Sequence, residues 1–294
     1  MSPVVVVATD SSSCLPRDLA QAWGVLVAPL QVIIDDEAFD EGTESGHGVS
    51  PESVVESLIA GRKVSTSQPG PAALLHVAEA AAAGGAAHLV FVSLSGAISG
   101  TAKAMEAASA GSPVPVTVVD TATVSLSAGL SALSAAAVAR AGGSVDEVVA
   151  EARRAAHSSL CLFTVDTLEY LRRGGRVSDT KAALGDALGV KPVLGVIDGR
   201  VDQVERVRTS AKARIAVLDR IAAHAATLTR PVVGVMTLAG DDAMSTAARA
   251  ALAAHGTWPV VTATLSAVLA AHGGPGSLAV AVVDVHPDLA ASLT

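Results

Sequence analysis

Residues 92–101 read VSLSGAISGT and follow the apolar run His88-Leu89-Val90-Phe91. An apolar run that breaks into Ser and Gly and then enters a helix-like AKAMEAASA is a strand–loop–helix junction. At such junctions loop amides and a helix N-terminus converge on a ligand. The hydroxyls of Ser95, Ser99 and Thr101 suit three chemistries: cradling a phosphate, nucleophilic attack, or holding another anion. A P-loop requires G-x-x-x-x-G-K-[ST], and Gly96 lacks the second Gly and the Lys at that spacing. No G-x-G-x-x-G follows a strand, and no G-x-S-x-G elbow exposes a serine nucleophile. The histidines form no H-E-x-x-H or H-x-E…C-x-x-C arrangement, so no metal site is expected.

Four further polar loops interrupt apolar runs: TDSSSCLP (9–16), STSQPGP (65–71), RRGGRVS (172–178) and AHGGPGSL (271–278). Singly, each has an ordinary explanation. Asp10-Ser11 reads as a turn and helix cap, and Thr66-Ser67 as a turn before a helix. His272 reads as a loop histidine, and Arg172, Arg173 and Arg176 as a solvated basic turn.

The elements that position these loops alternate between strand and helix through the first half. Val4–Ala8 reads as a strand and Val25–Ile34 as a strand pair or one bent strand. Pro51–Ala60 and Pro71–Ala83 read as helices opened by Pro. His88–Val92 and Val114–Val119 read as strands, each followed by a helix, Thr101–Ala110 and Leu126–Arg140. This alternation predicts a parallel, layered α/β sheet. Ser144 with Glu147 forms a capping box that opens helix Val145–His157. Beyond it the rhythm changes. Val193–Ile197 and Arg200–Val207 flank the hairpin signal Asp198-Gly199. Helices Ser210–Ala226 and Asp241–Ala254, with strands near 231–236, 258–264 and 278–283, predict a mixed sheet. The expected division is 1–158, an N-terminal α/β domain, and 159–294, a C-terminal mixed α/β domain.

Composition narrows the function further. The chain has 294 residues, of which 50% are hydrophobic but only 2% aromatic, and its net charge is −8. A surface that stacks bases and neutralises phosphates needs the opposite bias, so no nucleic-acid partner is expected. No Ala-rich run is free of Gly, His or charged residues for long enough to predict a membrane span. No secretory signal is visible, and the expectation is a cytoplasmic protein in which Cys14 and Cys161 are free thiols.

In combination and in this order, the loops resemble those of the DegV family, which includes the fatty-acid-binding subunits of bacterial fatty acid kinase. The resemblance also covers APLQVIIDDEAFDEGT (28–43), VVDTATVSLSAGL (118–130), FTVDTLEYLRRGGRVS (163–178), LGVKPVLGVIDGRVDQVERVRTSAKA (188–213) and HGGPGSLAV (272–280). It implies a two-domain DegV-like α/β fold with a long-chain fatty acid held between the domains. By the family's motif, the carboxylate meets Thr66 and Ser95, with His272 nearby. Ser67, Arg176 and Arg208 match positions linked to the head group or to docking of the kinase subunit. The implied function is to present the bound carboxylate to a separate ATP-dependent kinase for acyl-phosphate formation in phospholipid metabolism. Transient contact with a membrane surface, and no cofactor, are part of the same expectation. The sequence departs from the family pattern at Gly96, where a second serine is usual, at Ala270 and Ala279, where glycines are usual, and at Thr121, where Ser is usual.

Elementary energetics agree with a lipid ligand. A carboxylate leaving water requires hydrogen-bond donors, and Ser and Thr hydroxyls with loop amides supply them without a buried positive charge. At about 0.8 kcal/mol per buried methylene, a chain of roughly 16 carbons gains on the order of 10 kcal/mol before costs. Two alternatives remain at this point. One is a stand-alone phosphotransferase or serine hydrolase using Ser95 or Ser99 with His272; the other is a binder of another small apolar anion.

Overall fold

The computed structural model describes residues 4–42, 48–177, 190–238 and 241–293. Thr43, Ser178, Leu188 and Gly189, which belong to the quoted motifs, lie outside the described residues.

Along the chain, β1 (Val5–Asp10) runs through a 3-10 turn (Ser11–Ser13) into α1 (Arg17–Trp23) and β2 (Leu26–Ala28). Next come β3 (Gln31–Ile34), β4 (Glu37–Glu41), β5 (Gly48–Val49), α2 (Pro51–Ile59), β6 (Val64–Ser67) and α3 (Pro71–Ala83). β7 (His88–Ser93), α4 (Thr101–Ala108), β8 (Val116–Asp120), α5 (Leu126–Arg140) and α6 (Val145–Ser158) complete the first half. The second half holds β9 (Leu160–Thr164), α7 (Glu169–Arg173), β10 (Lys191–Ile197), β11 (Arg200–Val207) and α8 (Ser210–Ala225). It continues through β12 (Pro231–Thr237), α9 (Asp242–Ala253), β13 (Val260–Thr264), α10 (Ala267–Gly273), β14 (Leu278–Asp284) and α11 (Pro287–Ser292).

Three sheets result. β2-β1-β7-β8 is wholly parallel, as the strand–helix alternation predicts. The order β11-β10-β9-β14-β12-β13 is mixed, with one parallel pair, β12 and β13. The third sheet, β5-β4-β3-β6, was not expected from the sequence. It arises because the apolar stretch 25–34 is two strands that part at Pro29: β2 joins the parallel sheet, while β3 turns back on β4 through Asp35 and Asp36. Both Asp residues have positive φ, the backbone of a tight hairpin that Asp tolerates better than most residues. On its other edge β3 pairs with β6, setting Thr66 opposite Val32.

The predicted capping box is formed: the Ser144 hydroxyl accepts from the Glu147 amide at 3.3 Å, and the Ser144 amide donates to the Glu147 carboxylate at 2.7 Å. Helix α5 is its opposite in character. Its residues from Leu126 to Ala137 are all buried, because its Ala, Ser, Gly and Leu present no polar face. It lies between the parallel and mixed sheets and unites Val7, Val92, Met236 and Ala281 in one core cluster. Small residues permit this close layering. At Gly234 of β12, an added Cβ would stand 2.7 Å from Leu126 Cδ1 and 2.9 Å from its Cβ.

Gly234→Ala is therefore expected to overpack the α5–β12 contact and to destabilise the fold by about 1–3 kcal/mol, read from the midpoint of urea unfolding.

Candidate functional site

Helix α10 carries His272 in its last turn, and its first turn is held from three sides. The Ser266 hydroxyl accepts from the Leu269 amide at 3.3 Å, the Glu41 carboxylate accepts from the Val268 amide at 3.0 Å, and Cys14 Sγ accepts from the Ser266 amide at 3.3 Å. Both anchoring groups are buried, and burial pushes the Glu41 carboxyl upward and the Cys14 thiol up to about 12. Helix and β6 meet at the site, where Thr66 Oγ1 and His272 Nε2 are 2.9 Å apart.

The imidazole is largely buried and lines a cavity. Burial, and then the positive charge of Arg176, lower its pKa to about 4, so the ring is neutral at pH 7. Its Nδ1 is buried without a partner among the described residues and lies against Gly174, where any Cβ would collide with it. An N–H pressed on backbone without an acceptor is costlier than a bare lone pair, so we assign the proton to Nε2. Nε2 then donates to Thr66 Oγ1, leaving the threonine hydroxyl hydrogen to point elsewhere.

Thr66, Ser67, Arg176 and His272 line the same cavity, of about 320 Å³. Arg176 is half-buried and bridges two loops: Nε donates to the Ile98 carbonyl at 3.2 Å and Nη1 donates to that of Gly174. A guanidinium thus stands at the cavity beside the hydroxyls, at a position the sequence links to the head group or to docking of the kinase. Away from these groups the walls are mostly apolar, with Ile98, Val124, Phe163, Leu171, Val268 and Leu269 among them and the hydroxyls of Ser99, Ser125 and Ser277 interspersed. Such walls have the residue types of any core, which is why the sequence does not reveal them. Val268 and His272, four apart, mark one helical face, but α10 is too short for its period to stand out.

Ser95 and Arg208 are placed differently. Ser95 is buried but does not line the cavity; its hydroxyl donates to the Gly199 carbonyl at 2.7 Å and accepts from the Ala97 amide at 3.2 Å. It thereby fastens the β10–β11 hairpin tip to the 94–100 loop. The tip is Asp198-Gly199, both with positive φ, and a Cβ on Gly199 would lie 2.7 Å from Ser95 Oγ. Ser95 therefore does not pair with His272, and the Ser99 hydroxyl is 2.9 Å from that of Thr101. Arg208 is exposed just after β11 and lies outside the cavity lining. Gly96 has its own reason. Its amide donates to Asp120 Oδ2 at 3.1 Å, and a Cβ there would be 2.6 Å from that oxygen, so a side chain would displace the Asp120 carboxylate.

Asp10, read from the sequence as a turn residue, supports the loop from beneath. Its fully buried carboxylate accepts from the Leu94 amide at 2.8 Å and from the Ser12 hydroxyl, and burial raises its pKa to about 6. Among the described residues no group of three or more His, Cys, Asp or Glu side chains could hold a metal ion. No helix among them is long and apolar enough to cross a membrane.

The family described as "Uncharacterised protein, DegV family" matches residues 4–285. The chain belongs to the DegV family. A DegV domain-containing protein of Streptomyces coelicolor is 40% identical over 283 residues, covering 96% of this chain and 99% of that one. The structure of a DegV family protein from Thermus thermophilus, described by its fatty acid binding, has 33% identity and a TM-score of 0.86, covering 97% of this chain and 100% of that one. DegV of Bacillus subtilis, described as a fatty acid binding protein, shares the fold at a TM-score of 0.85 with 24% identity, over 96% of this chain and 100% of that one.

The buried imidazole makes a signed prediction. Between pH 6.5, its ordinary pKa, and about 4, its pKa in the fold, unfolded His272 binds a proton that the native site refuses. Native stability from this group therefore falls as pH drops through that window, by about 3 kcal/mol in full. Asp10, with its pKa raised from 3.8 to about 6, acts with the opposite sign over an overlapping range. The difference between wild type and His272→Gln isolates the histidine. Urea unfolding at pH 7 and pH 4.5 should show wild type losing stability relative to the variant at the lower pH.

Proposed function

We propose that this protein binds a long-chain fatty acid, its tail in the apolar part of the cavity and its carboxylate at Thr66, His272 and Arg176. The observation that carries the reading is one cavity that joins apolar walls to a hydroxyl, a neutral imidazole and a guanidinium. The Thermus thermophilus relative, described by its fatty acid binding, supports it. With Nε2–H donated to Thr66 Oγ1, the threonine hydroxyl donates onward to the carboxylate. Arg176 supplies charge, and Ser67 stands at the same end. Ser95 serves the carboxylate by holding the loop and hairpin in register.

The finer part of the proposal is that the bound carboxylate is presented to a separate ATP-dependent kinase, which forms the acyl phosphate. The sequence supports this by lacking a nucleotide-binding loop of its own. Arg208, exposed beside the hairpin, is assigned to kinase docking, and lipid exchange proceeds by transient membrane contact of a cytoplasmic protein. Against the hydrolase alternative, Ser95 is committed to Gly199, the Ser99 hydroxyl is 2.9 Å from that of Thr101, and His272 pairs with Thr66.

Denaturing extraction of the purified protein followed by mass spectrometry should release a fatty acid; an empty extract, with no palmitate binding on addition, would overturn the reading. Thr66→Val and Arg176→Ala are each expected to weaken palmitate binding by about tenfold or more, the scale of a lost hydrogen bond to a charged group. Arg208→Ala should leave binding intact and lower phosphorylation by the partner kinase.

A further inference from the structure

The cavity has a direction that its residues reveal. Leu265, Val268, Leu269 and His272 all line it. Val268, Leu269 and His272 share one face of α10, and Leu265 precedes its Ser266 cap, whose backbone is extended (φ −63°, ψ 157°), so it lies off the opposite end of the helix from His272. His272, with Thr66 and Arg176, marks the polar end, and Leu265 marks the far end of this wall.

Leu265 also lines a second cavity, of about 1310 Å³, on the other side of the α10 N-terminus. Beside it, Ser125 lines the first cavity and Cys14 the second, and the Ser125 hydroxyl faces Cys14 Sγ at 3.6 Å. Two cavities are thus separated by a partition one side chain thick. The partition is rigidly built. Leu265 is 4% exposed, and its amide donates to the Thr237 carbonyl at 2.7 Å. Ser125 has φ 61° and ψ −151°, a backbone conformation that residues with a side chain seldom adopt and that persists only where surroundings enforce it. Beyond the partition the character changes, because the second cavity includes Ser11, Ser13 and the buried carboxylate of Glu41.

We infer that Leu265, seated beside the Ser125–Cys14 pair, is an end stop for the acyl chain and sets the upper chain length this protein accepts. The inference rests on the fatty-acid reading above. A tail that reaches Leu265 gains from each buried methylene up to that point. Further carbons must bend back or displace the partition, which cancels their gain. Shortening Leu265 joins the two cavities and returns part of it, since Leu15, Val25 and Val49 offer apolar surface beyond.

The test is competitive displacement of a fluorescent fatty acid by laurate, palmitate and arachidate from wild type, Leu265→Ala and Leu265→Phe. Burying one methylene changes affinity about fourfold, so two methylenes passing the opened partition correspond to roughly fifteenfold. Leu265→Ala should raise the arachidate-to-palmitate affinity ratio about fifteenfold over wild type. Leu265→Phe, which moves the stop inward, should lower the palmitate-to-laurate ratio. Leu265→Val, with a smaller loss of volume, should move the first ratio in the same direction as Ala if the alanine variant fails to fold. If the variants scale all three affinities by one common factor, the end-stop assignment is wrong while fatty acid binding stands. Should no fatty acid displace the probe from wild type, the binding reading itself fails, and the end stop with it.

Discussion

The contact between Thr66 and His272 joins residues 206 positions apart, and the arrangement of the site depends on it. A carboxylate removed from water needs directed donors, and in the proposed complex this pair supplies one by relay: a neutral imidazole fixes a hydroxyl, and the hydroxyl faces the carboxylate. The relay requires an uncharged ring. Burial and the nearby guanidinium ensure it, with the pKa at about 4. Arg176 thus repels a second proton from His272 and, in the proposed complex, attracts the ligand's charge. Gly174 completes the arrangement, because only a residue without Cβ lets the imidazole Nδ1 approach its backbone.

Behind this contact lies a polar framework that no ligand needs to touch. Glu41 and Cys14 hold the start of α10, Asp10 holds the 94–100 loop, and Ser95 ties that loop to the β10–β11 hairpin. These partners come from β1, β4 and the turn after β1, so the serine-rich start of the chain orders the two walls of the cavity. Both carboxylates are buried and shifted upward, which fits groups whose burial is stabilised by amide and hydroxyl donors and not by cations.

Much of this was legible in the sequence. The bounds of α3 and α5 agree with those expected, Pro at the first turn marks the starts of α2 and α3, and Ser144 with Glu147 announced α6. The Asp198-Gly199 turn and the loops carrying Thr66, Arg176 and His272 were likewise recognisable by residue type. The third sheet was not. Its strands are short, and VSTS and EAFDE carry no apolar alternation, so their pairing is decided by tertiary partners. The role of Ser95 escaped for a related reason: a serine in a glycine-rich loop reads as a ligand donor, and only the position of Gly199 shows where its hydrogen goes. Helix α10, at seven residues, is shorter than the span over which periodicity speaks, and the apolar walls share their chemistry with the core.

The central claim is that a lipid carboxylate rests on the Thr66 hydroxyl, oriented by neutral His272 beside Arg176. Carbon-13 NMR of carboxyl-labelled palmitate bound to the protein reports on that group directly. The account predicts one bound carboxyl resonance, displaced from that of palmitate in solution, which moves in Thr66→Val and in Arg176→Ala but not in Arg208→Ala. A bound resonance that is unchanged in both Thr66→Val and Arg176→Ala would place the head group elsewhere and contradict the account.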